Sequence, residues 1–266
     1  MEIKLSAPIA EGRTAEIYEW NKGQILKLYR DWCPRHWVEE ESKVAQAIHK
    51  AGIPSPAVGE ILEVNHRRGL VYERVTGRSL LQEVSTRPWT FPKQARLLAE
   101  LHSQINQLSI PGLHSYHEGL MHTIRRAPHL ENDLRDKILN RLWGLKDGDR
   151  VCHGDFHPGN VLLTDRGPIV IDWMTARRGN PWADVARTNL LLSIGAKSAG
   201  KQVKPIVRFI ADAYRSMYLK HYSRLNPNDH DELAQWMPVI AAARLDEKIE
   251  REREILIAMV REGLAG

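Results

Sequence analysis

Cysteine is scarce: the 266 residues hold only two, Cys33 and Cys152, far apart in the chain. They cannot build a disulfide framework and have no metal-ligand spacing, so a reducing, cytoplasmic setting is expected. Long apolar runs are missing as well, and none approaches the ~18 residues of a membrane span. The opening MEIKLSAPIAEGR carries charges at Glu2, Lys4, Glu11 and Arg13 and no long apolar core, so it is not expected to act as a signal peptide. No run of five like charges occurs, and basic residues do not interleave with aromatics. The net charge of +5 and pI of 9.2 are therefore not read as a nucleic-acid or membrane surface. Internal repeats and low-complexity segments are also lacking. What is present is a globular composition, 42% apolar and 27% charged, long enough for one large or two small domains.

The first 75 residues read mainly as strands. Glu16–Trp20 and Gln24–Tyr29 flank Asn21-Lys22-Gly23, a hairpin signal. A helical pattern runs from about Arg35 to Lys50 and stops at Ala51-Gly52, with Pro54 and Pro56 beyond. Gly59–Asn65 and Gly69–Val75 form a second hairpin pattern around His66-Arg67-Arg68. After Thr76-Gly77-Arg78 the texture changes. Pro92–Leu108 and Leu130–Leu145 look helical, as does nearly everything from Trp182 onward. The expected organisation is a strand-rich lobe over residues 1–76 and a helical lobe over 77–266, with a ligand cleft between them.

One β-rich interruption, residues 150–173, carries the strongest signal: RVCHGDFHPGNVLLTDRGPIVIDW. Val161–Leu163 and Ile169–Ile171 flank Thr164-Asp165-Arg166-Gly167, a turn with glycine at its last position. Closing that hairpin pairs Leu163 with Pro168 and brings Asn160 and Asp172 to its open end. An amide oxygen and a carboxylate there suit Mg²⁺ beside a substrate's phosphates. Asp155 stands five residues before Asn160, in a loop punctuated by Gly154, Pro158 and Gly159. A carboxylate so placed is suited to accept a hydroxyl proton. In the Arg35–Lys50 helix, Val38, Glu41, Ala45 and Ile48 share one face, so Glu41 interrupts an apolar stripe and needs a cationic partner. Lys27, in the strand ILKLY, is the natural candidate.

His153-Gly154-Asp155-Phe156-His157-Pro158-Gly159-Asn160 followed by Ile171-Asp172-Trp173 resembles the aminoglycoside phosphotransferase and choline kinase-like family, relatives of the protein kinases. The resemblance extends over nearly the whole chain and implies an α+β, two-lobed protein-kinase-like fold with a small antiparallel sheet and a larger helical lobe. It implies ATP and Mg²⁺ as cofactors, Asp155 as the catalytic base, and Asn160 and Asp172 as metal ligands. Lys27 would bind the α- and β-phosphates with Glu41 orienting it. Gly12, Arg13 and Thr14, in IAEGRTAEIY, would form the nucleotide loop. Glu73 and Val75, in LVYERVTGRSL, fall in the segment that resembles the hinge. The sequence departs from its relatives in three places. That loop has one glycine rather than a triad, Met174 replaces the glycine of the protein-kinase DFG triplet, and Asn180 stands where an aspartate is common.

The implied reaction moves the γ-phosphoryl of ATP to a hydroxyl of a small molecule, an aminoglycoside-like or amino-alcohol or sugar acceptor, with antibiotic resistance among the possible roles. Two other readings stay open at this level. His153-x-Asp155-x-His157 superficially has the spacing of a metallohydrolase site, and a nucleotide-binding module without catalysis would need a catalytic group to be missing. A protein kinase is not expected, because no activation segment with an APE-like anchor follows Asp172. His153 holds the loop or carries a proton, His157 supports the loop or neighbours the metal, and Asp184 is a helix-start charge or, as the resemblance implies, a fastener of the catalytic loop. Residues 226–266 hold nine acidic against five basic residues. Asp229, Asp231, Glu232, Asp246, Glu247 and Glu250 either line a cation-accepting face or belong to a solvated helix. Neither the acceptor nor the oligomeric state is legible.

Overall fold

The computed structural model describes residues 5–198, 204–227 and 231–265. The chain begins with strands β1 (Ala10–Glu11), β2 (Ala15–Glu19) and β3 (Gln24–Tyr29), then helix α1 (Arg35–Lys50), strands β4 (Val58–Val64) and β5 (Arg67–Glu73), and the short β6 (Arg78–Ser79). Helices α2 (Leu80–Thr86), α3 (Phe91–Asn106), α4 (Tyr116–Arg126) and α5 (Asn132–Gly144) follow. Next come β7 (Arg150–Cys152), β8 (Val161–Thr164), β9 (Gly167–Val170) and β10 (Arg177–Gly179). The last part is helical: α6 (Pro181–Ser198), α7 (Pro205–Leu225), α8 (Asp231–Arg244) and α9 (Arg253–Ala265). The fold is α+β. Among the described residues no helix is long and apolar enough to cross a membrane.

Two compact units divide this chain. The first comprises residues 1–80 together with 159–175; the second comprises 81–158 and 176–266. The sequence reading kept 159–175 with the helical part. It groups instead with the first 80 residues because β6 pairs antiparallel with β8, Arg78 opposite Leu163 and Ser79 opposite Leu162. Close approach of the backbones demands glycine at position 77, where a Cβ would stand 2.3 Å from the Leu163 carbonyl oxygen.

The first unit holds a five-stranded antiparallel sheet in the order β1-β2-β3-β5-β4. The β4–β5 turn is tighter than the sequence pattern suggests. Asn65 and His66 both take positive φ, 49° and 65°, which matches the twist of a two-residue hairpin turn and brings Arg67 into the strand. Alternation along β3 sends Leu26 and Leu28 to one face, where they pack with Tyr18, Val64 and Val71. Lys27 and Tyr29 point to the other face, toward α1, where Tyr29, Leu70 and Val38 form a second cluster. Helix α1 buries Val38, Glu41, Ala45 and Ile48, the stripe expected from spacing, and packs on β4, β5 and the turn at Trp173–Thr175.

In the second unit α3 packs on α7, α6 on α7 and α8, and α8 on α9. Three buried tyrosines of α7, Tyr214, Tyr218 and Tyr222, stack on this core at spacings of four residues. β7 pairs with β10, Cys152 opposite Arg177. Cys152 is a buried free thiol whose pKa burial pushes up.

Candidate active site

The cationic centre of the first unit is Lys27. Its Nζ lies 2.8 Å from Glu41 Oε1 and 3.1 Å from Asp172 Oδ1. Glu41 is only 1% exposed, so its carboxylate needs several donors, and it has them. Tyr72 donates its hydroxyl to Oε1 at 2.8 Å and Tyr29 donates to Oε2. Burial alone would lower the Lys27 pKa, but Glu41 and then Asp172 more than reverse that, and the pKa is raised. Burial and the neighbouring Glu41 charge push both tyrosine hydroxyls well above their ordinary pKa.

Asp172 is positioned by the β8–β9 hairpin, whose register is the expected one. Leu163 pairs with Pro168 and Val161 with Val170, and the Ile171 N–H donates to the Asn160 carbonyl at 2.9 Å. The turn is closed by Thr164, whose hydroxyl bonds the Gly167 carbonyl at 2.7 Å, with Gly167 at φ 98°. Asp172 follows in the left-handed region, at φ 64°, a conformation that aspartate tolerates better than most side chains. Its side chain is 46% exposed, while Asn160 is buried at the hairpin foot. Their hard oxygens fit Mg²⁺, which takes few protein ligands and fills its octahedron with water and phosphate. Among the described residues no group of three or more His, Cys, Asp and Glu side chains is arranged to hold a metal, so the tetrahedral site of the hydrolase reading is not found there.

Asp155 lies in the second unit, in the loop between β7 and β8. That loop hangs on Asp184 at the start of α6. The fully buried Asp184 carboxylate accepts the N–H groups of His153 at 2.6 Å and Gly154 at 2.8 Å, and also contacts His102 Nε2 at 2.9 Å. Burial alone would raise the Asp184 pKa; the His102 contact outweighs it and the pKa is lowered. This is the loop-fastening role, and the buried His153 serves the same loop, its Nδ1 accepting the Asp155 N–H at 3.3 Å. Asp155 itself is 30% exposed, with Arg187 Nη2 at 3.4 Å from Oδ1 and His157 Nε2 at 3.6 Å from Oδ2. Burial would raise its pKa, yet the His157 and Arg187 contacts hold the carboxyl below the usual range. Asn180 also acquires a definite task, its Oδ1 accepting the Trp182 N–H at 2.8 Å at the start of α6 and its Nδ2 donating to the Lys146 carbonyl.

The remaining sequence candidates occupy the first unit. Gly12, Arg13 and Thr14 form the β1–β2 turn, where Gly12 N–H donates to the Ala15 carbonyl and the Gly12 and Thr14 carbonyls receive the Arg30 side chain and amide. Glu73 ends β5, its carboxylate accepting the Ala57 N–H at 3.1 Å and pairing with Arg166, and Val75 follows outside the strand. The structure thus brings Lys27, Glu41 and Asp172 into direct contact, adding Tyr29 and Tyr72, which sequence reasoning missed. Period-two alternation alone puts Tyr29 beside Lys27. Arg187 was missed as well, though it stands one helical turn after Asp184.

At several positions the acidic segment is engaged by arginines of the same chain. Asp246 pairs with Arg126 at 2.9 Å, Glu250 with Arg253 at 2.8 Å, and Glu247 with Arg187 and Arg244 at 2.6 and 2.8 Å. Asp231 is exposed, and Glu232 Oε2 is buried with no hydrogen-bond partner among the described residues. Asp229 lies outside the described residues.

A model of the phosphotransferase enzyme family matches residues 7–236. Among solved structures, an amicoumacin kinase in complex with AMP-PNP, Ca²⁺ and Ami is similar at 15% identity, over 97% of this chain and 87% of that one, with a TM-score of 0.66. An aminoglycoside-3′-phosphotransferase of type VIII is similar at 21% identity, over 90% and 92%, with a TM-score of 0.64. A choline kinase from Streptococcus pneumoniae is similar at 18% identity, over 98% and 93%, also with a TM-score of 0.64. No curated protein matches the chain.

Proposed function

The chain belongs to the phosphotransferase enzyme family, and from that premise we propose that it transfers the γ-phosphoryl of ATP to a hydroxyl of a small molecule. The observation that carries the reading is the Lys27 ammonium held between Glu41 at 2.8 Å and Asp172 at 3.1 Å. A cation fixed between a buried carboxylate and a half-exposed one is pre-oriented for nucleotide phosphates. Lys27 binds the α- and β-phosphates, and Glu41, with the Tyr29 and Tyr72 hydroxyls, keeps it aimed. Gly12, Arg13 and Thr14 cover the phosphates, and the chain at Glu73–Val75 receives the base. Asn160 and Asp172 would hold Mg²⁺, which when bound neutralises phosphate charge. Asp155, ionised because its pKa is depressed, is a weak base; it orients the attacking hydroxyl and takes its proton as the bond forms.

The acceptor we propose is a small hydroxyl-bearing cation, aminoglycosides being the first class to try and amino alcohols the next. Solved neighbours named for aminoglycosides, choline and amicoumacin support that range. Within the acidic segment Asp246, Glu247 and Glu250 are engaged by arginines, so Asp231 and Glu232 are the carboxylates to test against an ammonium group. The test is a coupled ADP-release screen over aminoglycosides, amino alcohols and sugars, with and without Mg²⁺. Acceptor-stimulated, Mg²⁺-dependent release is expected. A purified chain that neither binds Mg·ATP nor releases ADP with any of them would overturn the reading, and a preference for a neutral sugar would remove the cationic acceptor alone.

A further inference from the structure

We infer that Arg187 is a positioning residue for Asp155, and that residues 244–252 serve the reaction by holding Arg187. The inference rests on the reading of Asp155 as the residue that receives the hydroxyl proton. One guanidinium grips the catalytic loop twice. Arg187 Nε donates to the Gly154 carbonyl at 3.2 Å, and Nη2 reaches Asp155 Oδ1 at 3.4 Å. Backbone before the carboxylate and the carboxylate itself are thus tied to one rigid plane, which fixes where the side chain points. Among the groups facing Asp155 are Arg187 on Oδ1, His157 on Oδ2, and the His153 ring on its N–H. Oδ1 therefore faces Arg187 and Oδ2 faces His157.

A buried guanidinium needs more charge than one half-exposed carboxylate supplies. Glu247 provides it, 2.6 Å from Arg187 Nη2, and its other oxygen accepts from Arg244 at 2.8 Å. Arg244 in turn donates from Nε and Nη2 to the buried Glu252, at 2.9 and 3.3 Å. The result is one alternating line, Asp155–Arg187–Glu247–Arg244–Glu252, that starts in the catalytic loop, crosses α6 and the end of α8, and closes beyond it. Every interior charge has an opposite partner on each side. Acidic residues that look like an ammonium-binding face in the sequence act here as the anchor of a catalytic loop.

The test uses the full chain with Arg187→Met, Arg187→Lys, Glu247→Gln and Asp155→Asn. Rates are read as phosphate release from γ-labelled Mg·ATP with water as acceptor, and nucleotide affinity by titration with Mg·AMP-PNP. Arg187→Met is expected to lower kcat about 10–100-fold, the scale on which small misplacements act, with AMP-PNP affinity and the KM for ATP unchanged. Arg187→Lys should recover part of the loss, Glu247→Gln should show the same pattern more weakly, and Arg187→Met should add nothing in the Asp155→Asn background. Should Arg187→Met fail to fold, Glu247→Gln carries the comparison. A full rate in Arg187→Met beside an inactive Asp155→Asn overturns the inference and leaves the reading of Asp155 standing. Equal losses of kcat and nucleotide affinity, or an undiminished further loss in the Asp155→Asn background, also overturn it. A full rate in Asp155→Asn removes the reading of Asp155 and the inference with it.

Discussion

Glu41 and Asp155 are two carboxylates supported by opposite means. Glu41 is sealed under the sheet at 1% exposure, held by an ammonium and two neutral hydroxyls, all on β3 and β5. Asp155 sits 30% exposed on a loop, held by a guanidinium whose own support comes from far along the chain. The first arrangement lets Lys27 turn toward a phosphate without stranding Glu41, because two hydroxyl donors remain. In the second, the carboxylate stays open to an incoming hydroxyl and its direction is set from outside. A sealed carboxylate should therefore register in stability, an open one in rate.

The largest expected effect is kinetic. Asp155→Asn should lower turnover by roughly 10²–10⁴-fold while Mg·AMP-PNP affinity holds and urea stability falls by less than in Glu41→Ala; turnover near wild type on a verified acceptor would break the contrast. Glu41→Ala should act the other way. Removing one member of a buried pair typically costs about 3–5 kcal/mol, and a urea titration should show it. Its kinetic signature should be non-additive with Lys27→Ala in a double-mutant cycle on kcat/KM, since both changes disable one phosphate contact; independent, multiplying losses would separate the two residues.

Smaller losses should follow Tyr29→Phe and Tyr72→Phe. Each deletes a hydrogen bond to an ionised group, worth about 1.5–3 kcal/mol, and a shift in urea midpoint without a change in slope is the expected result. If neither moves the midpoint, the hydroxyls do not support Glu41. A pH effect separates Asp155 from Asp184. Both have depressed pKa values, so each contributes stability that is fully present above the unfolded carboxylate value of about 3.9 and is lost as pH falls through the folded value. Asp155→Asn should flatten that acid-side decline more than Asp184→Asn, because the linkage scales with the shift and the larger downward shift falls on Asp155. The least effect belongs to pairs wholly outside both arrangements. Lys137→Ala removes an exposed i,i+4 contact with Asp133 at 2.8 Å, and a stability change of only about 0.3–0.5 kcal/mol is expected.

Much of the Glu41 setting was legible in the sequence, because it follows from local periodicities. The apolar stripe of α1 exposes Glu41 as an intruder, and the alternation in β3 offers Lys27 as its partner. The β8–β9 register was equally readable, since a turn ending in Gly167 leaves one way to close the hairpin. Tyr72 was hidden because its approach depends on the β3–β5 register, Ile25 opposite Tyr72, which no local pattern specifies. The setting of Asp155 was mostly illegible. Asp155 and Glu247 both contact Arg187, but they come from segments separated by three helices, and the charges at 244–252 read as a solvated stripe when taken alone. The placement of 159–175 was missed for the same reason: β6 has two residues and no periodicity to reveal its pairing with β8.

That pairing sets a timetable for synthesis. The first unit is made of two pieces, 1–80 and 159–175, with the whole of 81–158 between them. A ribosome adding about 5–20 residues per second delivers the second piece roughly 4–16 s after the first. Through that interval the five-stranded sheet can form and Lys27 can meet Glu41, but β6 has no partner strand and Lys27 has no Asp172. The nascent chain therefore carries a finished sheet and an incomplete ion triad until residue 172 emerges, and the last contact of that centre waits on the order of translation.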